Sequence, residues 1–209
     1  MGAAGRLADF DRTKSDAGRL VLAGVDEAGR GCWAGPVVAA AVILPAGWCP
    51  DGLDDSKKLS PARREALCEA IRASALSWGA CAVSAGEIDA TDILNATLRA
   101  MARAVSRLVP VPDLVLIDGN RLPDLPVAAE CVVRGDGTSA AVAAASVLAK
   151  VYRDRIMTAW DRHHPGYGFA AHKGYGAAAH HEALRRLGPC PLHRLTYKPV
   201  AALDQGSLF

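Results

Sequence analysis

Short apolar runs that stop at a carboxylate set the strongest limit on what this chain can fold into. RLVLAGVDE (19–27) is β-branched and apolar and ends in Asp26 and Glu27. DLVLID (113–118) ends in Asp118, and the run AECVVRG (129–135) is followed at once by Asp136. A fourth run, GPVVAAAVILP (35–45), carries no charge and is bounded by Gly-Pro and Pro, the pattern of a strand buried on both faces. Such a strand needs cover above and below, and the intervening segments have helical patterns. Ser60-Pro61 supplies an N-cap and a first-turn proline for ARREALCEAIRASAL. GACAVSA (79–85) reads as a further strand, and 87–108 as one long helix stopped by Pro110 and Pro112. A second long helix is expected over 138–164. Its first half is mostly Ala, Ser and Val and so can lie close against a sheet. Gly166 to Gly176 is a glycine-punctuated loop with Tyr167, Phe169, His172, Lys173 and Tyr175, and 177–188 is a last amphipathic helix. Interleaved strands and helices of this kind predict an α/β domain with a mixed sheet.

At 209 residues the chain has the length of one domain, and it can bury a full-sized core without a disulfide or metal staple. The organisation expected is a polar leader (1–18), a main α/β domain (19–164), a C-terminal loop and helix of that domain (165–200) and a flexible tail (201–209). Six cysteines at 32, 49, 68, 81, 131 and 190 form no C-x-x-C pair, which removes zinc and thioredoxin-like readings. Scattered cysteines and an N-terminus with acids where an export signal has its apolar core lead us to expect a cytoplasmic protein with reduced thiols. Neither 37–44 nor 140–149, the longest apolar stretches, approaches the ~20 residues that span a bilayer, so no membrane partner is expected.

The formal net charge of +2 conceals a division. Residues 1–136 carry 15 Lys and Arg against 18 Asp and Glu, a net of −3, whereas 137–209 carry 9 against 4, a net of +5. All six histidines fall in the second part. A carboxylate cluster beside a phosphate-binding surface has this distribution. Any one of Asp26, Glu27, Asp118 and Asp136 could simply end a strand at the surface. Four carboxylates at three such endings, all near glycine turns, can instead converge on one edge of a sheet. Converged carboxylates repel one another and call for a cation, and hard oxygen donors select Mg²⁺ or Mn²⁺. One or two such ions, a pair standing ~4 Å apart, are a common device for cleaving phosphodiesters.

DEAGRGCWAGPV (26–37) resembles the signature of the type 2 ribonucleases H, in particular bacterial ribonuclease HII. The resemblance continues through DSKKLSP (55–61), LIDGNR (116–121), GDGTSAAVAAASVLAKVYRD (135–154), YGFAAHKGYG (167–176) and GPCPLHR (188–194), in the family's order and spacing. It implies a ribonuclease H-like fold, a five-stranded mixed sheet flanked by helices with a small helical C-terminal part. The implied activity is cleavage of the RNA strand of RNA–DNA hybrids and nicking 5′ to ribonucleotides embedded in duplex DNA. Products carry 3′-hydroxyl and 5′-phosphate ends. Matched to the family's motifs, Asp26, Glu27, Asp118 and Asp136 are the catalytic and metal-binding carboxylates.

The same resemblance makes Gly29, Arg30 and Gly31 the reader of the ribose 2′-hydroxyl, the group that separates RNA from DNA. It makes Tyr175 a stacking platform at the RNA–DNA junction, and it suggests Lys57 and Lys58 as phosphate contacts. The family usually has Thr where this chain has Ala177, which removes a local hydrogen bond or cap. His172, Lys173, Arg185, Arg186 and His193 are candidates for a basic, substrate-binding surface along the DNA, and Lys150 with Asp154 for an ordinary helix-surface pair. The terminal QGSLF, with Gln205, Leu208 and Phe209, is either a frayed apolar end or a sliding-clamp peptide. A DNA nuclease on the same fold and a catalytically silent hybrid-binding module are the competing readings. The resemblance also implies a monomer. The related ribonuclease HIII carries an extra N-terminal domain, for which about 18 residues before the first strand leave no room.

Overall fold

The computed structural model describes residues 3–53, 56 and 59–204. Its sheet has five strands: β1 (Leu22–Ala28), β2 (Val37–Ile43), β3 (Ser77–Val83), β4 (Leu114–Asp118) and β5 (Ala128–Val132). The spatial order is β3-β2-β1-β4-β5. β1, β2 and β3 pair antiparallel, and β1, β4 and β5 parallel, so the sheet is mixed as expected. β2 is buried along its whole length, because helices cover both faces there.

One face carries α4 (Ile93–Val105), whose Ala96, Ala100, Met101 and Ala104 pack on Ala23, Val25, Ala39, Ala41, Val115 and Ile117. The other face carries α5 (Ala140–Asp161) and α2 (Pro61–Ser74), packed on Ala28, Ala40 and Val42. The alanine-rich start of α5 lies directly on β1. A Cβ built on Gly24 would stand 2.1 Å from the Ala141 carbonyl carbon and 2.2 Å from the Val142 nitrogen. Only a glycine admits a helix so close.

Several boundaries differ from the sequence reading, each for a local reason. The stretch read as a polar leader contains α1 (Ala3–Lys14), which buries Leu7 and sets the Asp11 carboxylate at the start of α5, where it accepts from Ala141 N–H at 2.8 Å. Its few apolar residues gave little helical signal. The helix expected over 87–108 is two, α3 (Ala85–Asp89) and α4. Ser84 and Glu87 close a capping box around α3, and Asp92, in extended backbone, caps α4 through Asn95 N–H. β5, from the apolar run 129–135, lies largely exposed at the sheet edge. The glycine-rich loop holds a single helical turn, α6 (Phe169–His172), followed by α7 (Ala178–Leu187). α8 (Lys198–Asp204) extends into the expected tail. All six cysteines are free thiols, and no helix among the described residues is long and apolar enough to cross a membrane.

Candidate active site

β1 alternates strictly. Ala23 and Val25 face α4, so Gly24 and Asp26 face α5. Val25 is in register with Ile117 of the parallel neighbour β4, so Asp26 and Asp118 occupy the next rung of adjacent strands. A left-handed Arg134 (φ 57°) then turns the chain after β5 into a 3₁₀ turn, Gly135–Gly137, which carries Asp136. That turn is tied to β4, because Gly135 N–H donates to Asp118 Oδ1 at 2.6 Å. Sheet order thus brings acids separated by about a hundred residues to one edge. Asp26 and Asp136 are buried, Glu27 and Asp118 half-buried.

Asp26 is held from several sides. Burial holds its carboxyl well above the usual carboxylate range, and the charges of Glu27 and Asp118 push it further up. The Ser146 hydroxyl of α5 and the Glu27 N–H, 2.7 Å from Oδ1, oppose that rise. Ser146 is itself hydrogen-bonded to Ser56 at 2.8 Å, joining α5 to the loop before α2. No three His, Cys, Asp or Glu side chains among the described residues are drawn together around a single point. The donor set still suits a hard divalent cation, since it offers carboxylate oxygens whose mutual repulsion and burial a positive ion relieves.

The loop after β1 leads from Glu27 into Gly29, Arg30 and Gly31. Gly29 has φ +96°, and a Cβ there would stand 1.9 Å from Arg153 Nε. Arg30 and Gly31 are exposed, and Arg30 Nη1 lies 3.5 Å from Glu27 Oε1. Beside this loop stands Tyr175, 42% exposed, with Lys150 Nζ 5.2 Å and the Arg153 guanidinium 5.6 Å from its ring centre. The Cys32 thiol interacts with its hydroxyl. A ring exposed on one side and flanked by cations suits stacking next to a phosphate.

Four residues hold these loops together, and the sequence reading assigned none of them this work. Arg153 is fully buried and donates to the carbonyls of Pro36 (2.9 Å), Ala34 (3.1 Å) and Lys173 (2.9 Å), joining the Gly29 loop to the Tyr175 loop. Arg194 is fully buried beneath Gly29 and Arg30. His180 and His193 lie under Tyr175, their Nε2 atoms 3.1 Å apart. Cys190 N–H donates to His193 Nδ1, so His193 Nε2–H donates to His180, whose Nδ1–H donates to the Tyr175 carbonyl at 2.8 Å. Burial lowers both rings from 6.5 to about 4 and keeps them neutral. The one available signal was a basic residue inside each of the motif blocks 135–154 and 188–194.

His193 therefore does not belong to a basic surface: it is buried and neutral. His172 is half-buried and stacked on His180 at 4.3 Å. Lys173 lies beside the loop, with Nζ donating to Thr158 Oγ1 at 2.8 Å and to the Ala170 carbonyl, rather than projecting outward. Arg185 and Arg186 are exposed. The Lys150–Asp154 pair forms at 2.8 Å, but at 17% and 20% side-chain exposure it is largely covered, and Lys150 faces Tyr175. Lys57, Lys58, Gln205, Leu208 and Phe209 lie outside the described residues.

A mixed sheet of this order, with acids at the ends of its adjacent parallel strands, defines the ribonuclease H-like class. The model of the ribonuclease HII family matches residues 23–200. Ribonuclease HII of Pelobacter propionicus is 56% identical over 191 residues, 91% of this chain and 87% of that protein. Among solved structures, the PCNA:RNase HII complex from Archaeoglobus fulgidus matches with a TM-score of 0.69 and 30% identity over 86% of this chain and 96% of that one. The Mn²⁺ complex of Bst-RNase HIII shares the fold, with a TM-score of 0.73 at 18% identity over 90% of this chain and 70% of that one. The chain belongs to the ribonuclease HII family. It is an endoribonuclease with ribonuclease H activity.

Proposed function

We propose that this enzyme uses Asp26, Glu27, Asp118 and Asp136 to cleave the phosphodiester 5′ to a ribonucleotide. Its substrates are RNA–DNA hybrids and duplex DNA with an embedded ribonucleotide. The observation that carries this reading is Asp26: a buried carboxyl facing the charges of Glu27 and Asp118 on the edge where Asp136 also lies. These four residues would hold one or two divalent ions, Mg²⁺ or Mn²⁺, which when bound supply positive charge at the attacking and leaving oxygens. Asp26 Oδ1 is oriented by the Glu27 N–H and Asp118 Oδ1 by the Gly135 N–H, so the cluster is preorganised by backbone rather than by solvent.

The Gly29-Arg30-Gly31 turn approaches the minor groove with two positions that lack a side chain, and its backbone meets the ribose 2′-hydroxyl. Tyr175 stacks at the junction, and Lys57 and Lys58 meet phosphates. Residues 19–164 carry the chemistry and 165–200 add substrate contacts. The work fits removal of ribonucleotides from DNA in the cytoplasm by a monomer. Gln205, Leu208 and Phe209 would engage a sliding clamp, as the Archaeoglobus relative engages PCNA. A direct clamp-binding assay on the chain with 205–209 deleted tests that tail, and unchanged affinity would end the idea.

The deciding experiment compares Asp118→Asn with the parent on three duplexes: one embedded ribonucleotide, four in a row, and all DNA. Cleavage of the first two nearly vanishes in the variant while binding persists, and it depends on added Mg²⁺ or Mn²⁺. Retained turnover in Mn²⁺ would mean that the metal site lies elsewhere, and cleavage of the all-DNA duplex by the parent would make it a DNA nuclease.

A further inference from the structure

The proposed reader of the 2′-hydroxyl is held by a residue that comes 164 positions later and is 0% exposed. Arg194 spends all five of its N–H donors on this task. Nε and Nη2 donate to Gly35 O at 3.1 and 2.9 Å, Nη2 also to Gly29 O at 2.7 Å, and Nη1 to Arg30 O at 2.7 Å. The fifth bond goes from Nη1 to Tyr197 Oη at 3.0 Å, and that hydroxyl donates in turn to Arg30 O at 2.9 Å. The segment is moored from outside as well. Asp89, the last residue of α3, accepts from Leu195 N–H at 2.8 Å and Thr196 N–H at 3.1 Å.

The consequence follows from peptide geometry. In a planar trans peptide the C=O of one residue and the N–H of the next point in opposite directions. Drawing the carbonyls of Gly29 and Arg30 onto one buried guanidinium therefore turns the N–H groups of Arg30 and Gly31 outward, to the side on which both residues are exposed. Two successive outward N–H groups make a donor pair for an oxygen ligand. Ordinary packing could hold a turn in place without fixing the direction of its peptide planes. A planar guanidinium aimed at the carbonyl oxygens fixes that direction.

We infer that Arg194 and Tyr197 are positioning residues for ribonucleotide discrimination, orienting the Arg30 and Gly31 N–H groups toward the 2′-hydroxyl without touching substrate. The inference rests on the reading of the Gly29-Arg30-Gly31 turn given above and extends it to the C-terminal segment. It accounts for a guanidinium buried among neutral oxygens, an arrangement costly for stability alone.

The test measures a ratio. Affinities for a short duplex with one ribonucleotide and for its all-DNA counterpart are taken by fluorescence anisotropy in EDTA, so that cleavage does not intervene. The proteins are the parent, Tyr197→Phe, Arg194→Lys and Gly31→Ala. A Cβ on Gly31 meets nothing within 4 Å, so that variant perturbs the reading surface and not the fold. Tyr197→Phe removes one donor to Arg30 O and lowers the ribo-to-deoxy ratio roughly three- to tenfold, the scale of one hydrogen bond. Affinity for the all-DNA duplex does not change. Arg194→Lys, whose ammonium cannot reach three carbonyls from one plane, lowers the ratio further. If that variant does not fold by circular dichroism, Tyr197→Phe alone decides. Loss of discrimination in Gly31→Ala but in neither positioning variant overturns this inference and leaves the reading of the turn intact. Full discrimination in Gly31→Ala overturns that reading itself. An equal drop in affinity for both duplexes in Tyr197→Phe marks a merely structural role and also overturns the inference.

Discussion

Acid should loosen the histidine pair beneath Tyr175, and the structure sets the size of the effect. His180 and His193 are buried, and desolvation lowers each from 6.5 to about 4. The folded chain therefore prefers neutral rings. Their contribution is complete above pH 6.5 and is lost as the pH falls from 6.5 through about 4. At pH 5 an unfolded histidine sits ~1.5 pH units below its pKa, so each ring forfeits about 2 kcal/mol relative to pH 8. Water reaching the opened pair trims the total to about 3 kcal/mol. The perturbation that isolates the term is His193→Asn, whose amide oxygen can still accept from Cys190 N–H but which does not titrate. Urea unfolding of parent and variant at pH 8 and pH 5 gives a difference of differences in which the other histidines cancel. The parent should lose about 1.5 kcal/mol more than the variant between the two pH values, roughly 0.7 M in urea midpoint. An equal loss in both proteins would refute the reasoning, because the ring would then not be held neutral by the fold.

Other changes separate tight features from loose ones. Gly24→Ala places a methyl 2.1 Å from the backbone of α5, which cannot yield as a side chain could, so unfolding free energy should fall by more than about 3 kcal/mol. Because α5 also carries Ser146 behind Asp26, residual activity should fall with it at temperatures where the variant remains folded. Arg155→Ala breaks contacts with Glu65 and Glu69, but all three side chains are 41–57% exposed, and the cost should stay below about 1 kcal/mol and shrink in high salt.

Apolar runs bounded by turn residues determined the strands, because buried strands must be apolar along their length and must stop where polar groups meet water. β2 and β4 fall where the pattern put them. The four acids were legible as polar interruptions of apolar text, whereas the glycine turn stood out only through the family resemblance. Local hydrogen bonding was harder to read. The break between α3 and α4 depends on whether Ser84 and Asp92 use their oxygens as caps, and the helical period alone does not reveal that. The first helix was missed because it is anchored by Asp11 at the distant N-terminus of α5 rather than by an apolar stripe of its own.

Charge by itself could not divide the basic residues of the second half into those that lie on the surface and those that hold the fold. Arg185 and Arg194 carry the same charge nine positions apart, yet one is exposed and the other is 0% exposed among backbone carbonyls. A buried guanidinium is tolerated only where several acceptors converge on it, and convergence is a property of three loops folded together. Sequence alone determined the family and so the class of chemistry, through motif blocks that keep its order and spacing. Tertiary structure decided how that chemistry is aimed. Peptide planes and ring tautomers take their directions from partners that only the folded chain brings within hydrogen-bonding distance.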